Sequence, residues 1–168
     1  MPFLEKFKHY VPGKEILEIG FGLGLDAKWL VDNDFSYTGV EPVTSFCQKL
    51  QAKFPTIKVF DDDIRKVSFM PGSFDGIWAM ASLLHLNNGD LSNVLNNCHK
   101  WLKDGGILYV SLKEGGEQFV DDKGRFFNFF TKERFASFYQ DKFELLDYST
   151  TPPQEYNRTK VNLLSFHL

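Results

Sequence analysis

The sequence predicts a single α/β domain: a mostly parallel sheet with helices on both faces and one antiparallel strand near its edge. Three observations carry this. Short apolar runs alternate with segments of helical periodicity, the pattern of strand–helix–strand units whose parallel sheet is covered on both sides. A cluster of glycines follows the first apolar run. The last two apolar runs have no helix between them, only a connection through Pro152 and Pro153, so they pair as a hairpin.

About one short helix precedes the first strand, Glu15–Ile19. Asp26 is placed to cap a helix running to about Asn33, and residues 36–40 form the second strand. A helix over residues 43–54 is stopped by Pro55, and residues 56–60 alternate as a third strand. Residues 74–80 read as a buried strand. Residues 90–102 read as a helix with Leu91, Val94, Leu95 and Cys98 on one face, ended by Gly105-Gly106. A fifth strand covers residues 107–112. Thr131 caps a helix over residues 131–139, with Arg134 as its fourth residue, and residues 143–148 and 161–167 are the closing strands.

Composition narrows the functional classes. The hydrophobic fraction of 43% and charged fraction of 24% are ordinary for a globular domain. A formal net charge of -3 disfavours a nucleic-acid partner, which needs a basic surface. Cys47 and Cys98 have no metal-ligand spacing and read as reduced thiols, and no metal site is expected. No apolar run reaches the ~18 residues of a membrane span. The N-terminus lacks the apolar core of a signal peptide, so a cytoplasmic location is the expectation.

The informative segment is Leu17-Glu18-Ile19-Gly20-Phe21-Gly22-Leu23-Gly24-Leu25-Asp26. Glycines there let the backbone turn sharply between strand and helix and leave room for a ligand against the main chain. N–H groups at the helix start can hold an anion. The dinucleotide fingerprint G-x-G-x-x-G would put its third glycine at residue 25, which is leucine; here it falls one place early, at Gly24. Glu18 stands two places before the first glycine. This acidic-x-G-x-G-x-G pattern resembles motif I of the class I, Rossmann-like S-adenosylmethionine-dependent methyltransferases.

The resemblance extends over nearly the whole chain. Val40-Glu41-Pro42 closes the second strand, and Glu41, 17 residues after Gly24, is suited to accept hydrogen bonds from both hydroxyls of a ribose. In the family an acidic residue after the third strand contacts the adenine amino group and the next residue packs on the ring. The family's spacing, Asp-x-x-x-apolar-x-Phe, matches Asp63 through Val67 to Phe69, so the resemblance implies these roles for Asp63 and Ile64, with Asp62 as the alternative acid. Residues 73–86, ending in Leu-Leu-His-Leu, resemble the fourth strand and the turn where acceptor and methyl group meet. Residues 102–113 resemble the fifth-strand motif, with Asp104 in place of the usual proline.

Ser111-Leu112-Lys113-Glu114-Gly115 and Gly124-Arg125-Phe126-Phe127 are most similar to small bacterial members. Phe21 and Leu25 depart from the family pattern without removing a group the cofactor needs. The resemblance implies a strand order of 3-2-1-4-5-7-6 and S-adenosyl-L-methionine as cofactor, with S-adenosyl-L-homocysteine as product. Its binding residues would be Glu18, Gly20, Gly22, Gly24, Glu41, Asp63 and Ile64.

Methyl transfer from a sulfonium needs alignment above all, and a base only when the nucleophile must lose a proton. His85 is the candidate base; packing into the following turn is the competing role, since leucines surround it. His99, inside a helix, reads as structural. Arg125 is a candidate for binding an anionic acceptor, and Lys113 for orienting such an acceptor or pairing with a carboxylate, with a plain surface lysine as the competing role. Residues 114–130, with Arg125 beside four phenylalanines, form a candidate lid or an ordinary surface hairpin within a domain spanning 1–168. The acceptor class expected is a small molecule. Two other functions fit less well: a nicotinamide-dependent oxidoreductase and a non-catalytic cofactor-binding subunit.

Overall fold

The computed structural model describes residues 2–116, 118–152, 154–156 and 159–168, with the backbone alone at 154–156 and 159–161. Its strands are β1 (Glu15–Ile19), β2 (Ser36–Glu41), β3 (Lys58–Asp61), β4 (Phe74–Ala79), β5 (Leu102–Lys113), β6 (Gln118–Val120), β7 (Phe126–Asn128), β8 (Asp147–Thr150), β9 (Gln154–Tyr156), β10 (Thr159–Val161) and β11 (Leu163–His167). Its α-helices are α1 (Pro2–Tyr10), α2 (Leu25–Asp32), α3 (Thr44–Lys53), α4 (Asn88–Trp101) and α5 (Lys132–Tyr139), with a 3-10 turn at Leu83–His85.

Seven strands form the main sheet in the order β3-β2-β1-β4-β5-β11-β8. Counted within that sheet, this is the expected order 3-2-1-4-5-7-6. β11 runs antiparallel to both β5 and β8, while the other pairings are parallel. Two apolar layers cover the sheet. Phe7 of α1, Leu30 of α2 and Leu50 of α3 belong to one; Leu95 of α4 and Phe135 of α5 belong to the other. Central strands buried on both faces read as continuous apolar runs, and all six residues of β4 are buried. Gly76 in β4 matters for packing: a Cβ there would lie 2.6 Å from the Phe7 ring, so the missing side chain lets α1 sit on the sheet.

Five details differ from the sequence-based expectation. Asp26 does not cap α2. Gly24, in a left-handed conformation, takes that position, and Asp26 accepts the Trp78 indole N–H at 2.8 Å. α4 begins earlier, because the Asn87 side chain accepts the Asp90 N–H. It ends at Trp101, and β5 starts directly at Leu102, so Gly105-Gly106 lie at an irregularity inside the strand rather than after the helix. The closing hairpin carries an extra ribbon, β9 against β10, where a loop was expected; Pro153 lies outside the described residues. β8 starts at Asp147 rather than residue 143, because its partner β11 reaches only as far as His167 opposite Asp147. Thr131 caps α5 through the Arg134 N–H as expected. No described helix is long and apolar enough to cross a membrane.

Candidate functional site

The loop between β1 and α2 is built on left-handed glycines. Gly20, Gly22 and Gly24 have φ of 74°, 51° and 72°, a region that side chains rarely adopt. Their N–H groups are engaged within the protein: Gly20 donates to the Val40 carbonyl, Gly22 to Glu41 Oε2 at 3.0 Å and Gly24 to the Phe21 carbonyl. These donors shape the loop and fix Glu41 instead of facing outward. Glu18 lies beneath the loop, 2% exposed, and accepts the Tyr37 hydroxyl at 2.7 Å. Burial pushes its pKa up to about 8, against the opposing pull of the Tyr37 hydrogen bond.

Beside the loop a cavity of about 500 Å³ opens at the carboxyl ends of the central strands. This is where ligands sit in open α/β sheets. Its wall includes Gly20, Glu41, Asp63, Ile64, His85 and Arg125. The structure thus brings together one end each of β1, β2, β3 and β4 and the β6–β7 ribbon. Glu18, Gly22, Gly24 and Lys113 are not in that wall.

Glu41 is 6% exposed, and its two oxygens accept from Gly22 and Val43 N–H at 3.0 and 3.1 Å. A carboxylate oxygen has two lone pairs, so each retains an acceptor position for a ligand. Asp63 is gripped by Arg65, whose Nε and Nη2 donate to its two oxygens at 2.9 and 2.6 Å. That guanidinium holds the Asp63 carboxyl below the usual range. Arg65 also bonds Asp90 at 3.1 Å, tying the end of β3 to the start of α4. Asp62, the alternative acid, is exposed and accepts the Asp63 N–H.

His85, also in the cavity wall, ends the 3-10 turn after β4. Its Nδ1 lies 2.8 Å from the Phe126 carbonyl, and its ring meets Phe127 edge-on at 4.6 Å. A carbonyl only accepts, so neutral His85 carries its proton on Nδ1 and leaves Nε2 as an acceptor. Partial desolvation lowers its pKa, helped by the charges of Arg125 and Lys113. Residues 114–130 contain the antiparallel β6–β7 ribbon, which packs Phe127 and Phe130 into the core. Arg125 pairs with Asp121 at 2.7 Å, and Asp121 also accepts the Arg125 and Lys123 backbone N–H groups. Lys113 stands 5.2 Å from the Phe127 ring centre, and burial, then the Arg125 charge, pulls its pKa down to about 8. Among the described residues there is no cluster of metal ligands.

A family model described as a methyltransferase domain matches residues 16–106, more than half of the chain. The chain belongs to the S-adenosylmethionine-dependent methyltransferases. The chain is 30% identical over 104 residues to a 2-methyl-6-phytyl-1,4-hydroquinone methyltransferase of Synechocystis, covering 60% of this chain and 32% of that protein. It is 26% identical over 109 residues to a sarcosine/dimethylglycine N-methyltransferase of Aphanothece halophytica, covering 61% and 39%. The match therefore spans well under half the length of these curated relatives. It also superposes on a 1,6-didemethyltoxoflavin-N1-methyltransferase of Burkholderia thailandensis, crystallised with 1,6-didemethyltoxoflavin and S-adenosylhomocysteine. The TM-score is 0.82 at 16% identity, over 99% of this chain and 76% of that one. At such identity the likeness is one of fold.

One feature of the cavity wall is suited to a polar ligand such as the family's S-adenosylmethionine. Ser82 Oγ is buried without a hydrogen-bond partner, and Ser82 lines the cavity. A Cβ on Gly20 would lie 2.5 Å from Ser82 Cβ, so the glycine loop and the end of β4 face each other closely. An orphaned hydroxyl here calls for a ligand polar group. The sequence reading missed Ser82 and Arg65. Ser82 follows Ala81, whose φ of 49° is strained for alanine and whose N–H donates to Ser111 Oγ at 2.8 Å. The resemblance places a turn here, but nothing local in the sequence announces the positive φ of Ala81 that sets Ser82.

Proposed function

We propose that this protein transfers a methyl group from S-adenosylmethionine to a small-molecule acceptor. The observation that carries the reading is the cavity itself. Its wall joins Glu41, fixed by two backbone N–H groups, with Asp63, Ile64, Ser82, whose hydroxyl has no partner, His85 and Arg125. Glu41 would receive the ribose hydroxyls, Asp63 and Ile64 the adenine, and the stretch of wall lined by Gly20 and Ser82 the amino-acid tail. When bound, the cofactor supplies a methyl already activated on a sulfonium, so the protein's task is alignment and exclusion of water.

His85 and Arg125 form the acceptor side of this proposal. Where the nucleophile carries a proton, His85 Nε2 accepts it; its lowered pKa keeps the ring neutral at physiological pH. Arg125 would favour an acceptor bearing a carboxylate or phosphate, with Phe126 at the cavity wall against its apolar part, while Lys113, outside that wall, would contribute only its charge. The test is a screen of small metabolites with S-adenosylmethionine, read as release of S-adenosylhomocysteine. Turnover of at least one acceptor supports the proposal. Tight cofactor binding with no turnover of any small acceptor would point to a non-catalytic subunit.

A further inference from the structure

The β6–β7 ribbon holds a buried polar residue for which cofactor binding gives no reason. Asn128 is 0% exposed, and both ends of its amide are saturated. Nδ2 donates to the Leu86 carbonyl at 3.1 Å and to Asn88 Oδ1 at 3.0 Å. Oδ1 accepts from Arg134 Nη2 at 2.8 Å and from Gln118 Nε2 at 3.2 Å. The Arg134 donor fixes which way the amide points. Burying an amide is unfavourable unless every bond is made, and a complete network then specifies one arrangement.

That arrangement bears directly on His85. Leu86, whose carbonyl Asn128 holds, follows His85 in the chain; Phe126, whose carbonyl meets the His85 ring, lies two residues before Asn128 on the same strand. The ribbon and the 3-10 turn are therefore fastened at two adjacent points. We propose that Asn128 is a positioning residue for His85, holding the Phe126 carbonyl on Nδ1 so that Nε2 is the ring's proton acceptor. Phe127, 1% exposed between these two points, packs its ring against the imidazole and limits rotation. On this inference the β6–β7 ribbon acts as a fixed wall, anchored from α4 through Asn88 and from α5 through Arg134. Consequences for turnover rest on the proposed role of His85, whereas the tautomer can be read without any acceptor.

The experiment is long-range 1H–15N correlation on histidine-labelled protein above the His85 titration midpoint. The His85 signals are identified by their loss in His85→Gln. Wild type is expected to show one form, with the proton on Nδ1; a mixture, or a proton on Nε2, would overturn the inference. Asn128→Asp keeps the side-chain shape and the Arg134 bond but loses both N–H donors, and Asn128→Ser is a neutral alternative should the acid fail to fold. Either folded variant should lose the single-tautomer signal while binding S-adenosylhomocysteine within about twofold of wild type. Retention of the pure Nδ1–H form in a folded variant would make Asn128 merely structural. Titration of S-adenosylhomocysteine on the same samples reports separately on the proposed function, so the two failures are distinguishable.

Discussion

Replacing Glu41 by alanine separates its two roles, one toward the protein and one toward a ligand. The carboxylate accepts Gly22 and Val43 N–H at 3.0 and 3.1 Å in a 6% exposed position. Removing it leaves two backbone donors to find water, a loss of ~1–2 kcal/mol of stability. Its remaining acceptor positions would serve two ribose hydroxyls. Charge-assisted bonds of that kind, not fully additive, place the loss of cofactor affinity at ~1–3 kcal/mol, roughly 5- to 150-fold. Isothermal titration with S-adenosylhomocysteine reads the second effect and thermal melting the first. Glu41→Gln tests the electrostatic part, because it keeps the bulk but turns one acceptor into a donor facing a backbone N–H. Affinity within about twofold of wild type for both variants would refute the assignment of Glu41 to the ligand.

Three further perturbations follow from the geometry. Gly20→Ala places a Cβ 2.5 Å from Ser82 Cβ at a φ of 74°, and should cost ~2 kcal/mol or more, seen as a fall in melting temperature of about 4 °C or more together with weaker cofactor binding. Arg125→Ala should lower acceptor turnover more than S-adenosylhomocysteine affinity; equal losses in both assays would move Arg125 to the cofactor side. His167 is fully buried, with Asp147 at 3.6 Å and the Tyr109 and Tyr10 rings beside it, and burial pulls its pKa from 6.5 to about 4. Between those values the unfolded chain binds a proton that the folded one refuses, so stability should fall as pH drops below 6.5, by up to ~3 kcal/mol near pH 4. Urea unfolding of His167→Phe at pH 7.5 and 4.5 should show a flatter acid dependence; an unchanged acid loss would assign it to other groups.

Most of the architecture was legible because it rests on short-range signals. Apolar periodicity located the seven strands of the main sheet, and the missing helix before the last strand announced the antiparallel one. The left-handed glycines and Glu41 were readable because the loop demands those residue types at that spacing. What escaped depends on contacts far apart in sequence. Asp26 has the chemistry of a cap, yet its carboxylate is claimed by Trp78, 52 positions away. Asp63 was readable as a cavity residue, but its Arg65 clamp, shared with Asp90, was not. Ser82 depends on a strained alanine that looks like any other alanine in the sequence. Glu18 and Lys113 kept their neighbourhood but stand outside the cavity wall, because Glu18 is taken up by the Tyr37 hydroxyl beneath the loop and Lys113 lies against the Phe127 ring.

The central claim, that the cavity is a binding site for the adenosyl cofactor of methyl transfer, is tested most directly by titrating the wild-type protein with S-adenosylmethionine, S-adenosylhomocysteine and NAD. The account predicts saturable binding of both adenosyl ligands. At a hundredfold excess over Kd this stabilises the native state by ~2.7 kcal/mol and raises the melting temperature by about 5–10 °C. NAD should produce neither heat nor shift. Binding of NAD, with no binding of either adenosyl ligand, would contradict it.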